Sequence, residues 1–64
     1  MYRLYRLDRR DHFAGVEIIE ASDDDSALAR AAALSRERNF AGYELWEFAR
    51  LVGRSKTRHL DEAR

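Results

Sequence analysis

Residues 22–39, SDDDSALARAAALSRERN, are the stretch that most narrows what this chain can fold into. Ala27, Leu28, Ala31, Leu34 and Ser35 recur at the spacing of one helical face, while Asp25, Arg30, Arg36 and Glu37 fall mostly opposite. A helix with a single apolar stripe must lay that stripe on another layer, and in 64 residues the layer that fits is a small sheet.

The helix carries its own start and stop signals. Ser22 is placed to cap it, with Asp25 at capping-box spacing, and Asp23, Asp24 and Asp25 put negative charge at the positive end of the dipole. At the other end Arg36 and Arg38 suit the negative terminus. Asn39 is the residue best able to take a left-handed conformation there, and Phe40 can fold back onto Leu34 or Ser35.

Before the helix, Met1–Asp8 reads as a strand, with Tyr2, Leu4, Tyr5 and Leu7 punctuated by Arg3 and Arg6. Asp8 to His12 is the polar loop of a hairpin, in which Asp11 or His12 accepts a left-handed backbone. The second strand runs from about Phe13 to Glu20, and Gly15 near its start points to a bulge or a close backbone contact. After the helix, Ala41-Gly42 turns the chain into a third strand, Tyr43–Glu47. A tight turn then leads to a short fourth strand over Arg50–Arg54, with one longer bent strand as the alternative.

The expected fold is therefore α+β: a small ββαβ(β) antiparallel or mixed sheet with one helix packed on one face, in a single domain over residues 1–54. A right-handed crossover makes strands two and three parallel, and strand one, the most apolar, belongs between them, giving the order 2-1-3-4. The tail from Ser55 to Arg64 has Leu60 alone to bury and is expected to fray.

Composition limits the function classes. A chain this short buries only about 60% of its unfolded surface, so its core is marginal unless something supplements it. There is no cysteine, which excludes disulfides and thiolate metal sites, and oligomerisation is the remaining remedy. No apolar run has the length of a membrane span or a signal peptide, so a cytoplasmic protein is expected. Charge balances at 12 against 12 but unevenly: residues 17–25 carry five acids and no base, and residues 50–64 five bases against two acids.

The strands hold more apolar side chains than one helix can cover. With Tyr5, Leu7, Ile19 and Leu45 assigned to the helix side, Tyr2, Leu4, Val16, Ile18, Trp46 and Phe48 are left for the other face. At roughly 25 cal/mol per Å² of apolar surface, hiding several of them is worth as much as the whole stability of so small a domain. A second copy covering that face, and hence a homodimer, is the expectation; a larger protein partner would use the same face.

The N-terminal Tyr-Arg-Leu-Tyr-Arg-Leu-Asp, the Phe-Ala-Gly, the acid-rich start of an Ala-rich helix and the Glu-Leu-Trp-Glu followed by Arg-Leu-Val together resemble a group of short bacterial ββαβ-type proteins of unknown function. The resemblance covers residues 2–54. Members often place glycine in the hairpin turns, where this chain has His12 and Phe48. It implies no activity and carries over no functional residue.

Chemistry-bearing residues are few. Asp23-Asp24-Asp25 could ligate Mg²⁺ or Ca²⁺, but successive helical residues point about 100° apart and capping accounts for them. Asp8, Asp11 and His12 could form a metal or acid-base site, although Asp is an ordinary turn residue. His59 has no orienting neighbour in the sequence. No nucleophile elbow, zinc motif or phosphate loop is present, so neither an enzyme nor a cofactor is expected.

The rival reading is single-stranded nucleic-acid binding. Tyr2, Tyr5, Trp46 and Phe48 interleave with Arg3, Arg6, Arg50 and Arg54 in the manner of a sheet that stacks bases and follows phosphates. Zero net charge and a pI near 6.7 weigh against it. The function expected is a small interaction or regulatory domain without catalytic activity.

Overall fold

The computed structural model describes residues 1–55. Two strands, β1 (Tyr2–Leu7) and β2 (Phe13–Ile19), precede a helix, α1 (Asp24–Glu37), and two more, β3 (Gly42–Glu47) and β4 (Arg50–Ser55), follow it. They form one sheet in the order β2-β1-β3-β4 with every neighbouring pair antiparallel, so β2 and β3, both antiparallel to β1, run the same way. The α+β class, the strand order and the separate fourth strand agree with the expectation. Of the tail expected to fray, Ser55 is the last residue of β4, and residues 56–64, His59 and Leu60 among them, lie outside the described residues.

The helix begins later than its composition suggests. The cap is Asp23, not Ser22: its carboxylate accepts from the Ser26 N–H at 2.8 Å, and Ser22 with Asp25 forms no capping box. The Ser26 N–H also holds the Asp23 carboxyl below its usual range. At the other end Asn39 takes a φ of 57°, as its chemistry allows. The Phe40 N–H reaches Ser35 O at 2.9 Å and the Asn39 N–H reaches Arg36 O at 3.3 Å, the paired bonds of a Schellman stop.

Side-chain parity on β1 is where expectation and structure part. Tyr2 and Leu4, expected on the outer face, are buried beneath α1 with Ile19, Ala27, Ala31 and Leu45. Tyr5 lies on the outer face instead, where its ring stacks on Phe13 at 5.0 Å, and Leu7, though buried, lies outside that cluster. The reason is register. In YRLYRL both alternating sets contain two apolar residues, so alternation alone is symmetric; pairing Tyr2 with Ile19 and Leu4 with Leu45 breaks the tie.

Two bulges adjust the edges. Between Arg6 and Leu7 the partner strand slips by one, leaving Ala14 unpaired, and the Arg6 guanidinium donates to the Ala14 carbonyl at 2.8 Å. A Cβ on Gly15 would stand 2.6 Å from that guanidinium, so the bulge and the glycine go together. The second bulge, opposite Leu45 and Trp46, leaves Val52 unpaired. Beside it Gly53 leaves room for Leu28 of the helix to rest on β4.

Candidate interaction face

Cross-strand partners share a face, so the register lays out the side of the sheet away from α1 row by row. One row runs Ile18, Arg3, Trp46, Leu51, and the next runs Val16, Tyr5, Glu44, Arg54. Phe13 stacks on Tyr5, and the register continued by one pair sets Met1 opposite Phe48 at the end of the sheet. Ile18 is 56% exposed, Val16 53%, Phe13 64% and Leu51 43%. With Met1 and Phe48 these are the exposed large hydrophobics of the described residues, and all six fall on this face or at its border. Tyr5 and Trp46 between them are half-buried.

Of the six side chains expected to form an interface, Val16, Ile18 and Trp46 are brought together here, and Tyr2 and Leu4 are not. Phe48 occupies the β3–β4 turn with a φ of 55°, an unusual state for a bulky residue, and is 81% exposed. Tyr5, which the interface expectation gave to the helix side and the nucleic-acid reading to the aromatic face, belongs to this face, as do Phe13 and Leu51, which neither reading assigned. Parity relative to Trp46 would have found Leu51 only with the bulge at Val52 known.

The four arginines of the nucleic-acid reading are dispersed. Arg3 stands on the outer face between Ile18 and Trp46. Arg6 lies on the helix side, bonded to the Ala14 carbonyl and 5.6 Å from the centre of the Phe40 ring. Arg50 is committed to Asp24, at 3.0 and 3.1 Å, and to Glu47. Arg54 pairs with Glu44 at 3.6 Å, and Glu44 also accepts from Trp46 Nε1 at 3.0 Å.

The acids have structural partners too. Asp24 takes the Tyr2 hydroxyl at 2.9 Å besides Arg50, and Arg50 first and Tyr2 second hold its carboxyl below the usual range. The same contacts with Asp24 and Glu47 push the Arg50 guanidinium up. Tyr2 is pushed up to about 12, by burial first and by the bond to Asp24 second. Asp8 accepts from the backbone N–H of His12 at 3.0 Å and of Arg10 at 2.8 Å, which lowers its carboxyl and closes the hairpin loop, in which Asp11, not His12, takes the left-handed conformation. The His12 ring reaches Asp8 at 4.0 Å.

Among the described residues no three His, Cys, Asp or Glu side chains gather as a metal site. A hollow of about 660 Å³ between the end of α1 and the start of β3 is lined by Ala32, Phe40, Ala41 and Tyr43, with Arg36 as its charged member. No helix among the described residues is long and apolar enough to cross a membrane. No family model, curated protein or solved structure matches the chain.

Proposed function

We propose that the protein is a small, non-catalytic interaction domain of the cytoplasm that works as a homodimer, two copies meeting through the helix-free faces of their sheets. The observation that carries this is the gathering of Phe13, Val16, Ile18, Leu51, Met1 and Phe48 on or beside one uncovered face. The face measures about 19 by 20 Å by strand spacing and rise, a flat footprint of about 400 Å² a copy, which is the size of a weak, concentration-dependent dimer. Zero net charge lets two copies approach without overall repulsion.

Single-stranded nucleic acid is the less favoured occupant, because Arg6 and Arg50 point their charge into intramolecular contacts and Tyr2 is unavailable for stacking. Sedimentation of the pure protein at micromolar concentration is the test. A dimer is expected, with Ile18→Glu folded and shifted to monomer; a wild-type monomer would refute the reading, and a mobility shift of mixed oligonucleotides that fades steeply with salt would replace it.

A further inference from the structure

Arg3 is an anomaly on the outer face. It stands in the row between Ile18 and Trp46, and among the described residues its side chain makes no hydrogen bond or ion pair. Other arginines without partners project from loops or the solvated side of the helix, where water serves them. Covering the face would strip water from Arg3, and a covered cation without a partner is costly. Whatever occupies the face must therefore bring an acid to meet it.

The face carries one such acid itself. Glu44 is opposite Tyr5 while Trp46 is opposite Arg3, so the four residues mark the corners of a rectangle on the two central strands, with Arg3 and Glu44 on one diagonal and Tyr5 and Trp46 on the other. A two-fold axis lying in the interface along the Tyr5–Trp46 diagonal carries the Arg3 corner of one copy to within about 3 Å of the Glu44 corner of the other, and the reverse, an offset that the arginine side chain spans. We infer that the partner is a second copy seated about this axis, with Arg3 of each copy paired to Glu44 of the other and Trp46 packed against its own symmetry mate. The inference rests on the homodimer reading above and fixes how the two sheets meet.

The charges match on both sides of the axis. Glu44 keeps Arg54 and Trp46 Nε1 as neighbours, and its side chain is still 17% exposed on the face away from α1. A carboxylate offers about four acceptor positions, enough for Trp46, Arg54 and one more guanidinium. Strand spacing and rise set the diagonal at about 35° to the strands, so the two sheets cross at roughly 70°, nearer the orthogonal than the aligned class of sheet packing.

Charge reversal and mixing test the pairing. Arg3→Glu alone puts two carboxylates at each contact, and Glu44→Arg alone puts two guanidiniums there; each is expected to weaken dimerisation about tenfold or more. An equimolar mixture of the two variants restores opposite charges at both contacts and is expected to form a mixed dimer at close to wild-type affinity. A wild-type dimer whose association is unmoved by Arg3→Glu, or a mixture no tighter than either variant, would overturn the Arg3–Glu44 pairing and leave the dimer standing. A wild-type monomer would overturn both. Should Glu44→Arg fail to fold by circular dichroism, the exposed position decides alone: Arg3→Lys is expected to dimerise within about threefold of wild type and Arg3→Gln about tenfold more weakly, and equal affinities for the two would refute the pairing.

Discussion

The Tyr2 hydroxyl donates to Asp24 Oδ1 at 2.9 Å, joining the first residue of β1 to the first residue of α1. Asp24 in turn holds Arg50, the first residue of β4, so three elements meet on one carboxylate at one end of the sheet. This contact ties the start of the helix to one end of the sheet, beside the core packing of Ala27 and Ala31.

That junction predicts a stability profile with two edges. Tyr2 is raised to about 12 in the folded chain, so its contribution is complete below the ordinary tyrosine value of about 10 and is lost as the pH climbs from there towards 12. Asp24 is lowered, so its contribution is complete above the usual carboxylate value and is lost as the pH falls through the depressed folded one. Urea unfolding as a function of pH should show both limbs. Tyr2→Phe is expected to flatten the alkaline limb, and an unchanged slope between about pH 10 and 12 would contradict the assignment.

Leu4 and Ile18 separate folding from association. Leu4 has no exposed surface, and Leu4→Ala should cost about 2–5 kcal/mol. At about 0.05–0.15 kcal/mol per residue the whole domain has about 3–10 kcal/mol, so the variant is expected to lose about half of its stability or more and to melt well below wild type. Ile18→Ser, on the open face, should leave the melting curve of dilute protein within about 1 kcal/mol of wild type and show its effect in sedimentation. Circular dichroism and sedimentation of both variants check the contrast.

Phe48 holds a left-handed backbone that L-residues with a bulky side chain resist by about 1–2 kcal/mol, a cost that achiral glycine escapes. Its ring is 81% exposed in the single subunit, so little packing offsets the strain. Phe48→Gly should stabilise the dilute protein by about 1 kcal/mol in urea unfolding, the relief of strain exceeding the added freedom of the unfolded chain. Destabilisation would mean that the ring supports the turn.

Gly53 and Leu28 are coupled. A Cβ at Gly53 would fall 2.6 Å from Leu28 Cδ2, so Gly53→Ala requires the leucine to turn aside and should cost about 1–2 kcal/mol. In a Leu28→Ala background the same change should cost nothing or stabilise, because a strand favours a side chain over none. A double-mutant cycle of thermal melts reads the coupling, and additive effects would refute the contact.

Much of this architecture is local and therefore legible from one chain. The period of Ala27, Leu28, Ala31 and Leu34 and the left-handed capacity of Asn39 are written in residue type, and so is the β-forming character of the strands. The β3–β4 turn was legible despite Phe48, because Arg50, Leu51 and Val52 resume strand-like residues two positions later. The excess of apolar strand side chains over what one helix can hide was likewise a matter of counting, and the exposed Val16 and Ile18 reflect it.

Which residues face which way was not local. Tyr2-Arg3-Leu4-Tyr5-Arg6-Leu7 reads equally well with either set inward, and the choice is made by pairing Leu4 with Leu45 and Tyr2 with Ile19, partners from 17 to 41 positions away in sequence. The Arg6 side chain turned to the Ala14 carbonyl for a similar reason, at a bulge that only the paired strands supply, whereas the cap is local, Asp23 rather than Ser22 accepting from the Ser26 N–H three residues on. Sequence by itself determined the elements and the surplus of apolar surface, because propensity, periodicity and composition act within a few residues. Tertiary structure alone decided the face on which that surplus lies, since a slip of one residue in register turns every side chain of a strand to the other side.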